Sequence, residues 1–210
     1  MAAMTPAAVC ERLVAQRVVP VLRFASAAQA REAVACLHEA GFRVFEITMT
    51  TPDAVTLVAE LAGSLADSVV GAGTVLELDQ GRRCLEAGAR FLVSPCLVAG
   101  LPAIAHGAGA AALVGGFTPS EVLAAHREGA DIVKVFPASS GGPAHLRALH
   151  AVFPQIRLCP TGGVTAANLR DYLKAGAALV GVGNDIVDAG ALARGDRGAV
   201  IAHARRFLES

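Results

Sequence analysis

The sequence predicts an α/β protein folded as a single (β/α)8 TIM barrel over residues 1–210, on three observations. Eight short runs rich in Val, Ile and Phe recur along the chain. Their starts lie 26, 25, 22, 20, 21, 25 and 21 residues apart, the length of one strand, one short helix and two loops. Between them lie alanine-rich stretches of helical period, several ending at a glycine. Strand, helix and glycine entry repeated in this way give right-handed parallel crossovers, and eight of these close a barrel. An open doubly wound sheet would carry a glycine-rich loop after its first strand, where this chain has "ASAAQA".

Taken in order, residues 1–17 read as an N-terminal helix, polar early and without a signal peptide's layout. The first strand is "VVPVLRF" (18–24), followed by the helix "SAAQAREAVACLHEAG", with a serine start, apolar spacing of three and four, and a glycine stop. "VFEITM" (44–49), "VVGAGTV" (69–75) and "FLVSP" (91–95) are the next three strands. "AALVGGF" (111–117), "IVKVFP" (132–137), "RLCPTGG" (157–163) and "ALVGVGN" (178–184) complete the ring. The stops in "EAGAR", "REGAD" and "KAGAA" put Gly88, Gly129 and Gly176 just past a helix end, each feeding the next strand.

Composition narrows the function. Eighteen acidic and eighteen basic residues with a pI near 7.0 leave no global field for nucleic acid or an anionic membrane. No apolar run is long enough to span a bilayer. Five scattered cysteines without a C-x-x-C pair indicate free thiols in a reducing cytoplasm, with no disulfide framework or zinc site. The six histidines lack metal-binding spacing and are assigned no chemistry, and nothing marks Cys96 as a nucleophile.

Lys134 is the anomaly. Lys134 and Lys174 are the only lysines among eighteen basic residues, and Lys134 sits in the apolar run "DIVKVFP". In a barrel, chemistry gathers at the C-terminal strand ends, where the chain places Arg23, Glu46, Thr48, Thr74, Lys134, Thr161, Gly183 and Asn184. Side chains alternate along a strand, so Val44, Glu46 and Thr48 share one face, and Phe45, Ile47 and Met49 the other. With the bulky apolar set against the helices, Glu46 points inward, and by the same parity so does Lys134, between Ile132 and Phe136. Such a pair is either a structural ion pair or a reaction centre. Desolvation disfavours an ammonium and yields the neutral amine that Schiff-base chemistry needs, and it raises a carboxyl group into the range of a useful acid or base. The "TGGV" and "GVGN" stretches add Gly162, Gly163 and Gly183 on the two neighbouring strands where barrels often hold phosphate on backbone N–H groups.

The stretches "VVPVLR", "GFRVFEITM", "VGAGTV", "FLVSP", "IVKVFPA" and "CPTGGVTAANLRDYL" together resemble the 2-keto-3-deoxy-6-phosphogluconate and 4-hydroxy-2-oxoglutarate aldolases, class I aldolases of the Entner–Doudoroff route, over nearly the whole chain. The resemblance implies reversible cleavage of the phosphorylated keto acid to pyruvate and glyceraldehyde 3-phosphate, without metal or cofactor, by a cytoplasmic homotrimer. By the same resemblance Lys134 forms the Schiff base, Glu46 shuttles protons, Thr74 binds the pyruvyl carboxylate and Pro95 walls the imine. Thr48, Phe136 and Thr161 contact substrate, while Gly162, Gly163, Gly183 and Asn184 hold phosphate. Two positions depart from the pattern. Thr50 stands where well-known members have an arginine; other members lacking it carry one at the end of strand one, which Arg23 resembles, and Arg23 is expected to make the contact with carboxylate or phosphate. Asn184 stands where relatives often have serine.

Other readings are a galactonate-derived substrate differing at C4, an unphosphorylated 4-hydroxy-2-oxoglutarate, a phosphosugar isomerase with Glu46 as base, and a phospho-ligand-binding barrel in which Glu46 and Lys134 are merely a structural pair. For Arg23 the competing reading is a rim residue paired with an acid.

Overall fold

A computed structural model describes residues 4–209; residues 1–3 and 210, and the side chain of Asn184, lie outside the described residues. The chain opens with helix α1 (Pro6–Gln16), started by the Thr5 hydroxyl accepting from the Ala8 N–H and by a proline in the first turn. Strands and helices then alternate: β1 (Val18–Leu22), α2 (Ala27–Ala40), β2 (Val44–Thr48), α3 (Ala54–Ser64), β3 (Val69–Gly73), α4 (Leu78–Glu86), β4 (Phe91–Val93) and α5 (Leu101–Gly107). They continue as β5 (Ala111–Gly116), α6 (Pro119–Arg127), β6 (Ile132–Val135), α7 (Gly142–Val152), β7 (Leu158–Pro160), α8 (Leu169–Lys174), β8 (Val180–Val182), α9 (Ala189–Ala193) and α10 (Arg197–Leu208). The eight expected runs each form a strand, shorter than the run mainly because its last residues leave the ladder to become loops at the C-terminal rim.

All pairings are parallel, in the order β7-β6-β5-β4-β3-β2-β1-β8, and bridges Leu158↔Ala177 and Thr161↔Gly181 close the ring between the seventh and eighth strands. In this ring β2 and β6 are diametrically opposed. Gly88, Gly129 and Gly176 have φ of 99°, 103° and 104°, the left-handed conformation that lets each helix turn directly into the next strand.

Strand parity separates two cores. Phe45, Ile47, Val70, Leu92, Val133 and Leu158 face the helices in the larger cluster. Val19, Val44, Val69, Phe91, Leu113, Ile132 and Cys159 fill the inside of the ring, and Val9, Cys10 and Leu13 of α1 pack against them. The N-terminal helix is thus an apolar plug. By filling the barrel's floor, it leaves the polar residues at the opposite rim to line the opening.

Candidate active site

Long side chains from opposed strands meet at the barrel axis. Lys134 Nζ of β6 lies 3.6 Å from Glu46 Oε1 of β2, and the two residues are only 5% and 3% exposed. The separation is contact-range for an ion pair but too long for a hydrogen bond, and Glu46 Oε1 has no donor among the described residues. Burial pushes the Glu46 carboxyl above the ordinary carboxylate range, against the opposing pull first of Lys134 and then of Arg23. Lys134 Nζ also lies 5.7 Å from the centroid of the Phe136 ring, so its amine faces a carboxylate on one side and an aromatic wall on the other.

Glycines make room for this pair and its surroundings. Gly73, paired with Thr48 in the β2–β3 ladder, lies so close to Glu46 that a Cβ there would fall 1.9 Å from Oε1. Gly181 does the same for Thr161, where a Cβ would lie 2.3 Å from Oγ1. Both positions therefore keep space for an inward polar side chain.

A cavity of about 430 Å³ opens above the pair at the C-terminal end of the strands. Of the residues expected at a site, Arg23, Thr74, Pro95, Lys134, Phe136, Thr161, Gly162, Gly163 and Gly183 line it, with Glu46 beneath at the Lys134 amine. The ring order sorts them. Arg23, Gly183, Thr161 and the 162–163 turn come from the adjacent strands β1, β8 and β7, while Thr74 and Pro95 follow β3 and β4 on the other side. Gly162 and Gly163 have φ of 90° and 78°, a turn closed to ordinary side chains, and the Asn168 amide donates to the Gly163 carbonyl. Asn184, the remaining expected phosphate contact, begins a short 3-10 turn after β8, with its side chain outside the described residues.

Thr48 departs from expectation. Its side chain is fully buried, and its hydroxyl donates to the Leu22 carbonyl at 3.1 Å and meets the Thr50 hydroxyl at 3.0 Å, so it does not line the cavity. The last residue of an inward-facing set at a barrel rim can still be captured by a main-chain carbonyl of the neighbouring strand, here Leu22 in the β1–β2 ladder, which strand parity alone does not reveal. Arg23 also differs from its competing reading. Among the described residues its guanidinium makes no salt bridge, leaving an unpaired cation on the cavity wall.

Val21, Val164, Thr165 and Asp185, not among the expected site residues, also line the cavity. Thr165 and Asp185 are flagged only by adjacency to the "TGGV" and "GVGN" turns. Cys159, opposite Lys134 in the β6–β7 register, is buried, and that burial pushes its thiol up to about 11. At neutral pH it is a protonated thiol and does not compete with the lysine for a carbonyl. Among the described residues no cluster of His, Cys, Asp and Glu could hold a metal ion, and no helix is long and apolar enough to cross a membrane.

A family model described as KDPG and KHG aldolase matches residues 9–203. The chain is 37% identical over 193 residues to the KHG/KDPG aldolase of Escherichia coli K12, covering 91% of each protein. To the 2-dehydro-3-deoxy-phosphogluconate aldolase of Dickeya dadantii it is 37% identical over 197 residues, covering 93% of this chain and 92% of that one. Among solved structures, the KDPG aldolase from Legionella pneumophila, with pyruvate captured at low pH as a covalent carbinolamine intermediate, matches with a TM-score of 0.86 at 31% identity, covering 96% of this chain and 97% of that one.

Proposed function

The chain belongs to the KDPG and KHG aldolase family, and from that premise we propose that it is a class I aldolase that cleaves 2-keto-3-deoxy-6-phosphogluconate reversibly to pyruvate and glyceraldehyde 3-phosphate. The observation that carries the reading is the meeting at 3.6 Å of the buried Lys134 amine and the buried Glu46 carboxyl, whose Oε1 has no donor among the described residues, at the floor of a cavity.

Lys134 adds to the C2 ketone to form a carbinolamine, which loses water to leave an iminium. The positive nitrogen draws in the electron pair of the C3–C4 bond as Glu46, directly or through a water, takes the proton of the C4 hydroxyl. The aldehyde departs, leaving an enamine. Return of a proton to C3 and hydrolysis of the imine release pyruvate and the free lysine. In this scheme Thr74 and Pro95 border the pyruvyl half, with Thr74 on its carboxylate. Phe136 and Thr161 border the chain beyond C3, and Arg23 with the 162–163 turn and Gly183 takes the phosphate.

Asp185 favours a second reading. Its place on the phosphate side of the cavity adds a carboxylate where a dianion is expected, which suits the unphosphorylated 4-hydroxy-2-oxoglutarate. Rates on both substrates separate the two. A homotrimer is the proposed assembly and the cytoplasm the proposed location; exposed Leu76 and Leu97, just past the neighbouring strands β3 and β4, supply apolar surface for a subunit contact.

Borohydride reduction in the presence of pyruvate tests the chemistry. A covalent mass gain on Lys134 is expected, and its absence would point to an isomerase or to a binding barrel. Lys134→Arg keeps the fold but abolishes turnover, since a guanidinium stays charged and cannot add to a ketone.

A further inference from the structure

We infer that Thr48 and Thr51 are positioning residues that clamp the main chain on either side of Arg23 and so aim its guanidinium into the substrate cavity. This rests on the reading of Arg23 as the group that grips the anionic end of the aldolase substrate.

The β1–β2 ladder pairs Val21 with Glu46 and Leu22 with Ile47, and there it stops. Arg23 is the first residue beyond it, exposed and without a salt bridge among the described residues. Two threonine hydroxyls add bonds here, one at the last ladder residue and one beyond it. Thr48 Oγ1 donates to the Leu22 carbonyl at 3.1 Å, and the Phe24 N–H donates to Thr51 Oγ1 at 3.3 Å. The residues immediately before and after Arg23 are thus each held by the same turn. That turn is itself closed by the Thr51 N–H on the Thr48 carbonyl at 3.0 Å and by the Met49 N–H on the Gly73 carbonyl at 2.8 Å. Both threonines are buried, 0% and 3% exposed, so water does not compete for these bonds.

The clamp has a choice to make. Arg23 borders the 430 Å³ cavity above Lys134 and also a second, more apolar cavity of about 260 Å³ reached past Phe24, Val187 and Leu192. A flexible arginine on an unpaired strand end would share its time between the two. Holding its flanking peptides biases the side chain towards the cavity that holds the lysine and lowers the ordering cost of binding an anion there.

The test is steady-state cleavage of 2-keto-3-deoxy-6-phosphogluconate by the full chain, with Arg23→Ala, Thr51→Val, Thr51→Ser and the Arg23→Ala/Thr51→Val double variant. Arg23→Ala is expected to raise KM roughly tenfold through loss of a charge-assisted contact. Thr51→Val, nearly the same shape but unable to accept from Phe24, should raise KM by a similar factor while kcat stays within about twofold. Thr51→Ser restores the wild-type KM. In the Arg23→Ala background, Thr51→Val should add less than about twofold, because a clamp has nothing left to aim. Equal factors in both backgrounds, or an unchanged KM in Thr51→Val beside a raised one in Arg23→Ala, overturn the clamp and leave the arginine's role standing. An unchanged KM in Arg23→Ala overturns both. If Thr51→Val does not fold, Thr48→Val tests the other flank, since there the lost group is the donor and no buried N–H is left without an acceptor; the same KM effect is expected there, and none refutes the clamp.

Discussion

Gly73→Ala isolates how closely catalysis depends on the placement of Glu46. Gly73 has no left-handed φ, so alanine meets no backbone strain there, and the whole effect is steric. The new methyl would lie 1.9 Å from Glu46 Oε1, 2.5 Å from Cδ and 2.6 Å from Cγ, where ordinary contact begins at 3.4 Å. The carboxyl end must move by about 1.5 Å, a misplacement of the size that costs roughly 10²-fold in rate when the displaced group is a proton carrier. Because the clash falls on a side chain and not on backbone, the fold is retained at a cost of about 1–3 kcal/mol. The assay is pyruvate release under saturating substrate together with a urea melt. Gly63→Ala serves as control: a Cβ there meets nothing within 4 Å, and helix α3 gains about 0.5–1 kcal/mol while kcat holds. A Gly73→Ala enzyme within about threefold of wild-type kcat would show that the carboxylate does not act from its observed position.

Glu46→Gln should lower kcat by about 10²–10⁴-fold and remove the acid limb of the kcat profile. In the wild type that limb lies above the ordinary carboxylate range, because burial raises the group and activity needs its unprotonated form, so activity climbs as pH rises through the raised pKa. For stability the sign is opposite: the folded chain binds this proton more tightly than the unfolded one, so Glu46's contribution is complete at acid pH and is lost as pH rises through the folded value. Iodoacetamide at neutral pH should label exposed Cys96 first and spare Cys159, Cys10 and Cys84, whose thiols burial pushes up to about 11, 12 and 11, as peptide mass mapping would show. Thr118→Ala breaks the reciprocal Thr118–Glu121 cap of α6 and should cost about 1 kcal/mol in a urea melt without altering kcat.

Much of the fold could be read from the chain, because a parallel barrel repeats one local pattern eight times. The strand runs, the Gly88, Gly129 and Gly176 stops and the inward parity of Glu46 follow from periods of 2 and 3.6, which depend on nearest neighbours alone. Lys134 stood out for a related reason: an ammonium in an apolar run conflicts with its surroundings wherever it ends up. The resemblance to a family supplied what parity could not, namely roles for Thr74, Pro95 and Thr161.

Local patterning of the chain is therefore enough for the barrel, for its one anomalous cation and for the strand ends on which polar groups gather. Which of those groups share a cavity depends on how the whole chain closes. Lys134 meets Glu46 because strands two and six oppose each other once the ring closes, and a closed ring is a property of all eight pairings together. Thr48 turns to the Leu22 carbonyl, although its parity matches that of Glu46, because a carbonyl of the next strand lies within its reach. Arg23 is left without an acid because none of the described carboxylates folds to within ion-pair distance of it. Such facts depend on distances between residues far apart in the chain, which local periodicity does not encode.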